Sequence, residues 1–150
     1  MIERVHEHII TELQQNARTD TIFILTAILL NLIALGVNSA VASESDNGMT
    51  TWVVFFTFVC LVLVVNFVVV IGLLRGKQTR IKLINGLLKM YKDQGVEGYY
   101  DSSLLSNYNT RYNLFLLTVV FTCLIAIVVP TVLILELTYR VWTPTHLIVL

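Results

Sequence analysis

Few residues in this chain have the chemistry for catalysis or metal binding, and their spacing favours neither. His6 and His8 lie two residues apart, about 200° around a helix, so they cannot share a metal ion on one helical face. His8 and Glu12 could share one, but they supply only two ligands from one surface helix. Ser102 and Ser103 have no arrangement of histidine and acid beside them that resembles a nucleophile with its base. We therefore predict that the protein is not an enzyme and has no metal site and no cofactor.

Polar side chains inside the apolar parts of the chain carry more information. A polar group left unsatisfied in hydrocarbon is costly, so such a side chain must face protein or water. In the first apolar run, small and polar residues recur at intervals of four, three and four, on one helical face: Ala27, Asn31, Ala34 and Asn38. Asn66, between Val and Phe in the second run, needs a partner from another helix or another copy of the chain. The stripe predicts either close helix packing or the lining of a water-filled path.

The third apolar run holds a comparable stripe, with residues at intervals of four: Thr118, Thr122, Ala126 and Pro130. Packing and lining a path are again the two interpretations. Pro130 lacks the amide hydrogen that would bond to the carbonyl of Ala126, so we expect it to kink the helix. Such a kink can serve as a hinge.

Three uninterrupted apolar runs position these side chains: residues 21–42, 51–74 and 114–135, without Lys, Arg, Asp or Glu. About 20 apolar residues in a helix suffice to cross a membrane. The chain is 56% hydrophobic and 13% charged, against about 25% charged in a typical soluble domain. We predict an all-α integral membrane protein with spans 21–42, 51–74 and 114–137 in a single domain. Cys60 and Cys123 lie within apolar runs, and we predict no disulfide.

The positive charges predict the orientation. They are gathered between the second and third spans: Arg75, Lys77, Arg80, Lys82, Lys89, Lys92 and Arg111. The loop 43–50 has no Lys or Arg, and the tail 138–150 has only Arg140. The positive-inside bias places residues 75–113 and the N-terminus in the cytoplasm, and the C-terminus outside. The expected location is the plasma membrane or a bacterial inner membrane.

The outer interface is predicted from aromatic and charged residues. Trp52 opens the second span and Trp142 follows the third, so both tryptophans lie where amphipathic rings prefer to be. Glu136 precedes Arg140 by four residues, a favourable order for an ion pair on a helix. We expect these four residues to mark the outer boundary.

Two segments outside the spans are amphipathic. Residues 1–20 predict a short cytosolic helix, and apolar residues recurring at three and four in 77–93 predict a basic amphipathic helix. After it, Gly95 and Gly98 are expected to break the helix and begin a connection that runs to residue 113. We define the cytosolic collar by the following residues: Arg75, Lys77, Arg80, Lys82, Lys89, Lys92, Tyr99 and Tyr100.

The collar has more than one interpretation. Its basic residues favour an anchor on anionic lipid headgroups, with docking of a cytosolic protein or a small ligand at residues 75–113 as the alternative. Tyr99, Tyr100, Tyr108 and Tyr112 predict either an interfacial girdle or a small-ligand site in which rings stack on the ligand.

These observations favour a small homo-oligomeric pore or ion channel with the collar at its cytosolic mouth. Three spans leave no channel among themselves, so we expect the stripe of the first span to face an axis shared by several copies. The alternative is a non-conducting membrane subunit or scaffold that recruits a partner through the cytosolic helices. Transport of lipids or small molecules is less favoured, because the chain has no internal repeat and no charge deep in a span. The formal net charge of +0 argues against nucleic-acid binding.

Overall fold

The computed structural model describes residues 2–43, 48–99 and 103–147, and every regular element within them is helical. Helix α1 is Ile2–Ser43, α2 is Met49–Asp93 and α3 is Ser103–Leu147, with a short 3₁₀ turn at Glu97–Tyr99 before α3. Each of the three contains a stretch long and apolar enough to cross a membrane. The predicted all-helical class with three such helices is confirmed.

The two extra helices predicted from the sequence are not separate elements. Residues 1–20 were expected to form a short helix of their own, but α1 runs without interruption from Ile2 to Ser43. The basic segment 77–93 is likewise the C-terminal part of α2. The physical reason is that neither junction contains a proline, and a glycine within a helix weakens it by only about 1 kcal/mol.

The connection between α2 and α3 is shorter than predicted. Gly95 has a φ of 69°, and the amide of Val96 donates to the carbonyl oxygen of Tyr91 at 3.0 Å. With the amide of Gly95 bonded to the carbonyl oxygen of Lys92 at 3.1 Å, this is a glycine-terminated helix end. Because α3 already begins at Ser103, Tyr108 and Tyr112 lie on a helix and not in a loop.

The chain divides into two compact units, and each long helix contributes a segment to both. We call Met1–Leu25 with Val68–Thr118 the basic unit, and Thr26–Phe67 with Val119–Leu150 the apolar unit. Along α1 the buried residues recur at intervals of three and four: Asp20, Ile24, Ala27, Asn31, Ala34, Asn38 and Ala42. This spacing is typical of a helix that packs one continuous face against its neighbours.

The core of the apolar unit consists of small clusters at successive levels. Ala34, Val62 and Cys123 form one, and Ala42, Phe55 and Ile134 form another. Large apolar side chains on the other faces of these helix segments are exposed, as expected for surfaces that contact lipid.

The buried face of α3 differs from the predicted stripe. Ala126 and Pro130 are buried and Thr122 is half-buried, but Thr118 is exposed while Val119 is fully buried. Residues four apart on a helix are displaced by about 40° around its axis, so a strict four-residue series turns away from the packed face. The helix continues through Pro130, and the predicted outer tail is helical to Leu147.

Candidate ligand site

The basic unit encloses a cavity of about 490 Å³ between its segments of α1, α2 and α3. Most of its wall is apolar, and the polar or charged side chains that line it are Gln14, Asp20, Thr21, Arg80, Tyr108, Arg111 and Tyr112. A mostly apolar wall with a few polar groups and a volume of roughly 300–1,000 Å³ is typical of sites for small molecules.

Asp20 is the most unusual residue of the cavity. It directly precedes the first apolar run, it is only 6% exposed, and its Oδ2 has no hydrogen-bond partner among the described residues. Burial raises the pKa of this carboxyl to about 6, and the positive charge of Arg80 opposes that rise. The site therefore holds a carboxyl group whose charge is poorly compensated by the protein.

Gly76 of α2 explains how Asp20 is accommodated. The Nδ2 of Asn16 donates to the carbonyl oxygen of Gly76 at 2.9 Å, which ties α1 to α2 at this level. A Cβ atom at Gly76 would lie 2.6 Å from Oδ1 of Asp20 and 3.4 Å from the hydroxyl oxygen of Tyr112. The distance to the Tyr112 hydroxyl is an ordinary contact, whereas the approach of Oδ1 of Asp20 leaves no room for a Cβ atom and so requires a glycine here.

Arg80 lies between two tyrosine rings of α3. Its guanidinium carbon is 5.5 Å from the ring centroid of Tyr108 and 5.4 Å from that of Tyr112, distances at which the ring faces attract a cation. Tyr112 is 6% exposed, and its hydroxyl group has no partner within the described residues. Arg111 is an exposed part of the lining. The lining thus includes two arginines, an aspartate and two tyrosines around one space.

The predicted cytosolic collar is divided by the structure. Arg80 lines the cavity, and Nζ of Lys77 donates to Oδ1 of Asn113 at 3.0 Å. The remaining basic collar residues are exposed: Arg75, Lys82, Lys89 and Lys92. Tyr100 and the side chain of Tyr99 lie outside the described part of the structure. Of the predicted tyrosine cluster, Tyr108 and Tyr112 thus reach the cavity.

Three polar residues of the apolar unit bond to one another. Nδ2 of Asn31 donates to Oδ1 of Asn66 at 3.1 Å and to Oγ1 of Thr122 at 3.1 Å, and Nδ2 of Asn66 donates to Oδ1 of Asn31 at 2.6 Å. Nδ2 of Asn66 also donates to the carbonyl oxygen of Val62 at 2.8 Å. Asn66 therefore has one partner, Asn31, on another helix of the same chain and a second, Val62, in its own helix.

The predicted position of the first-span stripe requires a correction. Asn31 is 1% exposed, and Ala27, Ala34 and Asn38 are also buried among the helices of one chain. A side chain enclosed in this way does not face an axis shared by several copies. Asn38 has no hydrogen-bond partner among the described residues, whereas Thr118 donates to the carbonyl oxygen of Leu114 in its own helix at 2.9 Å.

The predicted outer interface is described only in part. Trp52 stacks on Phe56, with ring centroids 5.9 Å apart and an interplanar angle of 27°. Glu136 is exposed. The side chains of its predicted partner Arg140 and of Trp142 lie outside the described part of the structure.

Sequence reasoning missed Asp20 and Gly76 as site residues and used Arg111 only to predict orientation. One signal was present, because Asp20 continues the buried series of α1 and lies seven residues before Ala27. An acidic residue on a packed helical face is rare unless it is paired. The contact with Gly76 joins residues far apart in the sequence and left no local signal. Comparisons of the chain with protein-family models, curated proteins and solved structures find no match.

Proposed function

We propose that this chain is a non-conducting membrane protein that binds a ligand on the cytosolic side through the cavity of its basic unit. The observation that carries the proposal is the cavity lined by Asp20, Arg80 and Tyr112, in which Oδ2 of Asp20 and the hydroxyl oxygen of Tyr112 are buried without a partner among the described residues. A buried polar group without a partner costs about 1–3 kcal/mol. A ligand that supplies the missing partners accounts for both.

The membrane location is supported by the three apolar helices, and the orientation by the basic residues between the second and third. The positive-inside bias assigns the basic unit to the cytoplasm. The cavity would then be open to ligands from the cytosol or from the inner leaflet. A protein that binds a ligand in this way would act as a recruiting subunit or a sensor, and it needs no path for ions through the membrane.

The homo-oligomeric pore remains the rival proposal. Its path would run between copies and be lined by side chains on the outside of each chain. On α1 the large exposed side chains of the span are apolar: Ile22, Leu25, Leu29, Leu32 and Ile33. A path lined by such residues is poorly wetted, and this supports the non-conducting form. Self-association through the same apolar surface is compatible with either proposal.

Two measurements on purified protein test the proposal. Liposomes that contain the protein in known orientation should pass no more ions than protein-free liposomes. Thermal unfolding of delipidated protein should move up by several degrees when lipid and aqueous extracts of the expression host are added, because a ligand that binds only the folded state stabilises it.

A matched pair of variants assigns that shift to the cavity. Arg80→Gln removes a lining charge, whereas Arg18→Gln removes an exposed charge of α1 that does not line the cavity. Each variant is compared with its own extract-free sample. The shift should be lost in Arg80→Gln and kept in Arg18→Gln. Ion flux well above the protein-free level, or an equal shift in both variants, would contradict the proposal.

A further inference from the structure

We infer that the cavity of the basic unit binds the headgroup of an anionic glycerophospholipid, with the phosphate at Arg80 and Arg111 and a headgroup hydroxyl at Asp20 and Tyr112. The inference rests on the proposed function and names its ligand class. A lipid headgroup and a soluble phosphate metabolite can both offer this chemistry, which is a phosphate ester that carries hydroxyl groups. We assign its source to the adjacent bilayer leaflet and not to a soluble metabolite.

The position of the cavity favours a lipid. Its lining on α1 extends from Ile10 to Ile24, across the start of the apolar run at residue 21. On α3 the lining extends from Tyr108 to Phe115, across the start of the third run at residue 114. The cavity therefore has one part at the level expected for lipid headgroups and another at the level of the hydrocarbon.

The exposed lining residues show on which side the cavity opens. Gln14 and Thr21 of α1 are exposed, as are Arg111 and Phe115 of α3. The lining residues of α2 are buried or half-buried, so α2 forms the back wall. The opening lies on the side of α1 and α3, and an amphiphile can enter it laterally from the bilayer.

The charges of the cavity favour an anion. Arg80 and Arg111 supply two positive charges against the single carboxyl of Asp20. Guanidinium groups bind phosphate through paired, charge-assisted hydrogen bonds. Arg80 is held between the rings of Tyr108 and Tyr112, which fixes its guanidinium group before the ligand arrives. A headgroup with one net negative charge neutralises the site, whereas a zwitterionic headgroup does not.

The oxygens of Asp20 and Tyr112 that have no partner among the described residues favour a headgroup with hydroxyl groups. Oδ2 of Asp20 accepts a hydrogen bond, and the hydroxyl group of Tyr112 both donates and accepts. A glycerol headgroup offers hydroxyls to both. Beyond it, Ile24 and Phe115 supply apolar contacts for the first part of an acyl chain. A cavity of about 490 Å³ accepts a headgroup while the chains stay in the bilayer.

The test measures lipid retention by native mass spectrometry of the full-length protein. The protein is first exchanged into phosphatidylcholine micelles and then offered phosphatidylglycerol, more phosphatidylcholine or soluble glycerol 3-phosphate. We expect one phosphatidylglycerol to be retained per chain in the wild type and in Arg18→Gln. Retention should be about tenfold weaker in Arg80→Gln and in Arg111→Gln, since each loses charge-assisted hydrogen bonds to the phosphate.

A second pair of variants keeps the test independent of folding. Tyr112→Phe and Asp20→Asn preserve the approximate size of each side chain. Tyr112→Phe removes a hydroxyl group and should reduce the preference for phosphatidylglycerol over phosphatidylcholine several-fold, with unchanged helix content by circular dichroism. Asp20→Asn removes the negative charge of the site and keeps an acceptor oxygen, so it should increase that preference.

The possible outcomes separate this inference from the proposed function. Equal retention of phosphatidylcholine and phosphatidylglycerol overturns the inference, and so does equal binding of glycerol 3-phosphate without acyl chains. Equal retention in all five variants also overturns it. If host extracts stabilise the wild type through Arg80 but phosphatidylglycerol does not bind, the lipid inference fails and the proposed function stands. If the extracts have no effect, the proposed function fails.

Discussion

Two groups of polar side chains, one in each unit of this protein, are bonded differently. In the apolar unit Asn31, Asn66 and Thr122 are bonded to one another across three helices. In the basic unit Asp20 and Tyr112 are buried, and each has an oxygen with no hydrogen-bond partner among the described residues. Asn38 of the apolar unit also lacks such a partner, but it does not line the cavity of the basic unit. Buried polar groups that satisfy one another serve packing, whereas groups left unsatisfied around a cavity are available to a ligand.

Side-chain size accounts for much of the difference. Ala27 and Ala34 flank Asn31 at the same buried face of α1, and small residues allow helices to approach closely enough for amides to meet. In the basic unit, Arg80 and the rings of Tyr108 and Tyr112 occupy the corresponding space. These three side chains line the cavity, as does Asp20.

The largest expected effect of a single substitution is in the apolar unit. Asn66→Ala removes the donor to the buried Oδ1 of Asn31, which keeps only the bond from its Nδ2 to Thr122, so we expect a loss of about 1–3 kcal/mol in the free energy of unfolding. Thr118→Ala is the control, because Thr118 is exposed and bonds only to its own helix; it should change stability by less than about 0.5 kcal/mol. Reversible unfolding in mild detergent measures both, and an equal cost for the two would remove the distinction between the units.

A pair of glycine substitutions in α2 probes the basic unit. Gly76→Ala places a methyl group against Asp20 and should both destabilise the protein by about 1 kcal/mol or more and weaken ligand binding. Gly86→Ala meets no atom within 4 Å and should stabilise the helix by up to about 1 kcal/mol, since alanine is the better helix former. Opposite signs in thermal unfolding are the expected result. If Gly76→Ala were as stabilising as Gly86→Ala, the close approach of Asp20 to α2 would be wrong.

A third expected effect is the pH dependence of stability in the ligand-free protein. The pKa of Asp20 is about 6 in the folded state against an ordinary value of 3.8, so between these values the folded state binds more protons than the unfolded state. This contribution is fully present below about pH 4 and is lost as the pH rises through 6. Asp20→Asn should abolish this contribution. Asp93→Asn, at the exposed end of α2, should keep the difference in the free energy of unfolding that the wild type shows between pH 4 and pH 6. An identical pH profile in wild type and Asp20→Asn would refute the burial of an uncompensated carboxyl.

The sequence was sufficient for features that depend on local pattern. Apolar runs without charge predicted three long helices, and each is found. It was insufficient where distant residues decide the result. The approach of Asp20 to Gly76 spans 56 positions, and the tyrosines that draw Arg80 towards the cavity lie on another helix. Arg80 was therefore interpreted as a surface charge of the collar, and the cavity was not predicted.

The sequence pattern also did not predict where each helix ends. Hydropathy reports where apolar side chains stop and does not report where a helix stops. Without a proline or a glycine in the left-handed region, the backbone hydrogen bonds of α1 and α2 continue into polar segments. Gly95, with its positive φ, lies two residues after the end of α2 at Asp93 and terminates the helix.

The most direct test of the central claim is photocrosslinking inside living cells. A photoreactive benzoylphenylalanine replaces Phe115, which lines the cavity, and in a control replaces Leu117, which is exposed on α3 but does not line it. Mass spectrometry then identifies the molecules attached to each position. We predict a non-protein adduct at position 115 that is lost when Arg80→Gln is added, and no such Arg80-dependent adduct at position 117. The same adducts at both positions, unchanged by Arg80→Gln, would contradict the claim that this cavity binds a ligand.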